Sequence, residues 1–136
     1  MKLNLGIASQ ITWLYFEDLK QADEFFQDTL KLKLVEDQGW AKIYGVAGKA
    51  FIGAVDSTQG SLKSLPEHDM LFSLVVDSVE DWHQHIKASN MTDITEIGGM
   101  KEVPIKTFFA TGPNGYRFEF QAFTAENARK IFHSEH

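Results

Sequence analysis

The chain repeats its own pattern of apolar residues at an offset of sixty positions. ITWLYFEDLKQADEFF from Ile11 and LFSLVVDSVEDWHQHI from Leu71 superpose without a gap. Ile11 falls on Leu71, Leu14 on Leu74, Phe16 on Val76, Leu19 on Val79, Ala22 on Trp82 and Phe26 on Ile86. Almost no identities accompany the match, so what repeats is the placement of apolar side chains. Each copy is a strand-length apolar run, an acidic cap and then a segment of helical period. Two such units in one chain imply a fold built by duplication, with a pseudo-twofold axis and a cleft.

The remaining segments fit that plan. Residues 9–16 read as a strand, and Asp18 caps a helix whose Leu19, Ala22, Phe26 and Leu30 share one face. LKLVED, WAKIYGV and KAFIGAVD follow as three short strands divided by polar or glycine-containing turns. STQGSLKSLPEH, residues 57–68, has the composition of a linker. The second unit opens on the strand DMLFSLVVD, and a helix from Ser78 to Ser89 follows, with Ser78 as cap and Glu80 and Asp81 in its first turn. Strands are expected at 93–97, 105–111 and in YRFEFQAF, with Pro113-Asn114-Gly115 turning the last hairpin as a type I turn closed by a glycine at positive φ. Residues 124–133 read as a closing helix capped by Thr124. The order is βαβββ, linker, βαβββ. This is an α+β domain, not a doubly wound sheet, because strands run consecutively after each helix.

At 136 residues the chain is read as one domain able to bury a core. Its parts are module one at 9–56, a linker at 57–68, module two at 69–123 and a C-terminal helix at 124–134. A net charge of -6 without a basic stripe argues against nucleic acid as a partner. The absence of cysteine removes disulfides, thiolate metal sites and cysteine nucleophiles. The longest apolar stretch, Leu71 to Val76, is too short to span a membrane. Lys2 is not followed by an apolar region long enough for a secretory signal. A cytoplasmic protein with no membrane partner is expected.

The segment ADEFFQDTLKLKLV, the terminal turn and strand GPNGYRFEFQ, and the two-module order resemble the vicinal-oxygen-chelate superfamily from Ile11 to Phe123. That family includes glyoxalase I, bleomycin-resistance proteins, fosfomycin-resistance thiol transferases and extradiol dioxygenases. The usual Asp-Pro-Asp-Gly turn is Gly112-Pro113-Asn114-Gly115 here, and the usual glycine after the first helix is Lys31. The resemblance implies two βαβββ modules in a cupped eight-stranded mixed sheet with helices outside. It also implies a homodimer, since partly open sheets of this kind close against a second copy. In metal-dependent members each module gives two ligands, from its first and last strands. Those positions fall on Ile11 and on Gly53 or a neighbour in module one, and on Leu71 and Glu119 in module two. Of the four only Glu119 has a donor, so no metal and no other cofactor is expected.

Strand alternation from Ile11 and Glu119 then selects a candidate site. Trp13, Tyr15, Phe51, Ser73, Arg117 and Gln121 face the cleft, and in the third strand Trp40, Lys42 and Tyr44 do so. An aromatic cup with a few polar groups is the chemistry of a small-molecule site. Set against this, the same aromatics would serve equally as core or dimer interface. Glu119, between Phe118 and Phe120, is the candidate general base or ligand-orienting acceptor, or a structural carboxylate held by Lys106 or Arg117. The histidines offer no metal site. His83 and His85 lie on different faces of a helix, and His133 and His136 lie at a fraying terminus. His68, in the linker, is within reach of the cleft mouth. The favoured function is metal-independent binding of an apolar or aromatic small molecule. The alternatives are a lyase, isomerase or thiol transferase of glyoxalase type using Glu119, and an interaction module whose aromatic face a partner fills.

Overall fold

The element order follows from where apolar periodicity switches between two and 3.6 residues. The computed structural model describes residues 3–60, 68, 70–100 and 103–133, with the side chain of Met100 excepted. The chain divides into two compact units, Met1–Leu65 and Pro66–His136. Of the linker expected at 57–68, residues 61–67 lie outside the described residues.

In the first unit, β1 (Gln10–Phe16) leads through Asp18 into α1 (Leu19–Glu24), and the Asp18 carboxylate accepts the Gln21 amide. The helix widens at once into a π-helical turn, Phe25–Thr29, in which the Leu30 amide reaches back to the Phe25 carbonyl. The wider turn lets Phe25 and Phe26 both enter the core, where Phe26 meets Phe16, Phe25 and Tyr44 at centroid distances of 5.0–5.8 Å. Lys31 follows at φ 60° and turns the chain into β2 (Lys33–Asp37), then β3 (Ala41–Ala47) and β4 (Ala50–Asp56). The sheet order is β1-β4-β3-β2, with β1 parallel to β4 and the other pairs antiparallel.

The second unit repeats this topology. β5 (Leu71–Val75) precedes α2 (Val79–Lys87), whose Ser78 hydroxyl accepts the Asp81 amide. β6 (Gly98–Met100), β7 (Val103–Thr111) and β8 (Arg117–Phe123) complete a sheet ordered β5-β8-β7-β6, with β5 parallel to β8. Between α2 and this sheet, Phe108 and Phe120 stack at 4.8 Å and Trp82 stacks on Phe120 at 5.5 Å. The third tryptophan is therefore half-buried against the sheet. Eight strands form among the described residues, four to each sheet, and the architecture is α+β with two βαβββ modules.

Four local expectations are corrected. The strand placed at 93–97 begins at Gly98 instead. Asp93 turns at φ 48°, and Thr92 only bridges to Thr111. Gly115 takes the expected positive φ, 78°, but Asn114 does so too, at 60°, which is the backbone of a type I′ turn, not type I. Asn-Gly is the pair that tolerates this conformation best. The closing helix, α3, spans Glu126–Phe132 and follows Ala125 without a side-chain cap, while the Thr124 amide bonds to Pro104. His133 is not frayed. Its side chain is buried, accepting the Phe123 amide at Nε2 and donating from Nδ1 to Asp77. His136 lies outside the described residues.

Candidate functional site

The face of the first sheet opposite α1 is built by alternation along β1 and β4. Leu14 and Phe16 turn to the helix and are buried, which sends Ile11, Trp13 and Tyr15 to the other side. Register places Ile11 beside Phe51, Trp13 beside Gly53 and Tyr15 beside Val55. The indole of Trp13 lies over Gly53 so closely that a Cβ there would overlap its six-membered ring. Glycine is required at 53 by this approach of a neighbouring side chain, and Trp13 stays 39% exposed.

Next to it is a groove of about 470 Å³ lined by Trp13, Tyr15, Trp40, Val55, Gln59 and Gly60. Trp40 reaches it from the turn before β3, where Gly39 adopts φ 85°, and its ring is 49% exposed. Gly60 contributes absence of bulk, since a Cβ there would strike Tyr15 and Val55. Three expected residues, Trp13, Tyr15 and Trp40, are thus brought together. Gln59 and Gly60 carry no sequence signal beyond a linker-like composition. Phe51 shares the face but is half-buried one row away, outside the groove lining.

Tyr44 is a correction. It is fully buried on the helix side, packed on Phe26, and its hydroxyl donates to Asp23 on α1 at 2.6 Å. Burial first, and then the Asp23 bond, push that hydroxyl well above the ordinary tyrosine range. The register explains the error. Ala41 pairs with Val55 and Ile43 with Gly53, so the odd-numbered residues of β3 face the groove side. Trp40 escapes the alternation because it precedes the strand.

In the second unit the equivalent face is polar. Ser73 stands where the repeat puts the counterpart of Trp13, and Glu119 stands where Gly53 does, because Ser73 is the sheet neighbour of Glu119 as Trp13 is of Gly53. Glu119 is only 6% exposed. Its Oε1 accepts from Ser73 Oγ at 2.6 Å and from Gln121 Nε2 at 3.2 Å, and Oε2 accepts from Thr107 Oγ1 at 2.8 Å. The expected partners are otherwise engaged. Lys106 pairs with Ala122 on the helix side and forms a salt bridge with Glu80 of α2. Arg117 donates to the Asp93 carbonyl and to Thr111 Oγ1, each at 2.8 Å, over the Phe109 ring. Sequence reasoning missed Thr107, whose hydroxyl is set by β7 diagonally across from Glu119.

The histidines have structural work. His68 bonds to the Asn114 carbonyl and stacks on Tyr116 at 3.8 Å, and buried His83 bonds to the Thr95 carbonyl against Phe108. Among the described residues no three His, Asp or Glu side chains gather as a metal site. The pair Ile11 and Gly53 has no donor side chain, and the pair Leu71 and Glu119 has one. These residues do not fit a catalytic metal. No helix among the described residues is long and apolar enough to cross a membrane.

Comparison with known proteins agrees with this geometry. A family model described as Glyoxalase/Bleomycin resistance protein/Dioxygenase superfamily matches residues 8–120. Among solved structures, a glyoxalase/bleomycin resistance protein/dioxygenase from Nocardioides is similar at 13% identity and TM-score 0.69, covering 92% of this chain and 88% of that one. A lactoylglutathione lyase from Agrobacterium tumefaciens is similar at 18% identity and TM-score 0.64, with 88% and 96% covered. A fosfomycin resistance protein from Listeria monocytogenes is similar at 16% identity and TM-score 0.65, with 91% and 98% covered. At these identities the likeness is one of fold. No curated protein sequence matches the chain.

Proposed function

Because the chain belongs to the Glyoxalase/Bleomycin resistance protein/Dioxygenase superfamily, we propose that it is a metal-independent, cytoplasmic small-molecule binding protein of that type. The observation that carries this reading is the groove of the first unit, where two partly exposed indoles and a tyrosine surround about 470 Å³. Large apolar rings left open to solvent in a concave site suit a flat apolar or aromatic ligand. Gln59 supplies the polar contact that orients it. A fluorescent aromatic probe such as 1-naphthol should change tryptophan emission on binding. Trp40→Ala should weaken that binding by about 1–3 kcal/mol, the scale of losing a buried anchor. Probe affinity unchanged in both Trp13→Ala and Trp40→Ala would end the reading.

One observation favours a second reading, turnover by Glu119. A buried carboxylate oriented by three donors is the arrangement of a positioned general base. Turnover separates the two. Consumption of a glyoxalase-type substrate by the parent chain but not by Glu119→Gln would replace the binding role with such chemistry.

A further inference from the structure

The Glu119 cluster is one charged acceptor held by three neutral side chains. Ser73 and Thr107 direct their hydroxyl hydrogens at the carboxylate, and Gln121 directs one of its two amide hydrogens there. Acceptor capacity remains on Oε2, on the hydroxyl oxygens of Ser73 and Thr107, and on the Gln121 carbonyl. A carboxylate almost wholly removed from water, with no cation contacting it among the described residues, is costly unless a positive charge reaches it. Lys106 and Arg117 are committed elsewhere.

We propose that this cluster is a binding site for the protonated primary amine of a small ligand. An ammonium has three donors and no acceptor, which matches a site whose one charge is a carboxylate and whose remaining polar atoms are mostly acceptors. A divalent ion fits less well, since such ions want several charged oxygens and the site has one carboxylate. The approach is from β5, an edge strand of its sheet, where Ser73 is exposed between exposed Leu71 and Val75. Those two side chains offer an apolar strip for the carbon skeleton attached to the amine. The net charge of -6 raises the local concentration of such cations. The site lies in the second unit and stands independently of the aromatic groove.

The test is a titration of the full, isotope-labelled chain with n-butylammonium and with its neutral isostere n-butanol, followed on backbone amide resonances. Butylammonium should shift Ser73, Thr107 and Glu119 saturably and more weakly at high salt, with butanol at least about tenfold poorer. Glu119→Gln should lower butylammonium affinity by about tenfold or more. Trp40→Ala, which alters only the groove, should change it less than about threefold. Equal binding of alcohol and ammonium, full affinity in a folded Glu119→Gln, or shifts confined to the groove residues would overturn the proposal. So would displacement of butylammonium by equimolar magnesium or manganese. If Glu119→Gln does not fold, the comparison of ammonium and alcohol on the parent chain decides the matter alone.

Discussion

Lys31 holds φ 60° at the point where α1 and its π-helical turn give way to β2. The Leu32 amide bonds back to Phe26 across this residue, so the conformation is fixed by the helix ending. A side chain with a Cβ pays about 1–2 kcal/mol in the left-handed region, and glycine avoids this while adding up to about 1 kcal/mol of unfolded-state entropy. Lys31→Gly should therefore stabilise the protein by about 0.5–1 kcal/mol, measured as a higher urea midpoint at unchanged slope. That residue's special role was legible, because the sequence motif calls for glycine there. The partners of Glu119 were not. Chain neighbourhood pointed to Arg117 and the predicted hairpin to Lys106, whereas strand register delivered Ser73, Thr107 and Gln121.

At the scale of elements, α2 is tied to β7 by the salt bridge between Glu80 and Lys106. The Lys106 bond holds the Glu80 carboxyl below its ordinary value of 4.5. A depressed carboxyl pKa contributes stability at pH above the unfolded value, and that stability is lost as pH falls through the folded value. Lys106→Met should thus be less stable than the parent near neutrality. The difference should shrink below about pH 4.5 and vanish in stronger acid, read from denaturant midpoints across pH. A difference independent of pH would mean that the alkyl stem of Lys106, not its charge, ties the two elements. Strands and helices themselves were largely legible, since β1, α1, β5 and α2 carry strong periodicity and polar caps. The phase of β3 was not, because Trp40 stands in a turn and does not share the strand's alternation. β6 was misplaced because Asp93 and the glycines at 98 and 99 give no period to read.

For the whole molecule, duplication was the most readable property, since an apolar pattern survives where identities do not. Both copies fold to the same strand order, and they have diverged at the site, aromatic in one and polar in the other. Each sheet has two edge strands, β1 and β2 in one and β5 and β6 in the other, and β2 carries exposed Val35. Edges of this kind are seldom left bare. We accordingly expect a homodimer, with light scattering at micromolar concentration giving twice the chain mass of 15.4 kDa. A monomer under those conditions removes the expectation.

The seating of Trp13 over Gly53 also bears on descent. A carboxylate at 53 has no room until residue 13 becomes small, and a small residue at 13 strips the groove of an indole. Any lineage moving between an ion-holding ancestor and this chain therefore had to change the two positions in a fixed order. Growth of the tryptophan could come only after residue 53 had been reduced to glycine, and the reverse journey must begin at Trp13.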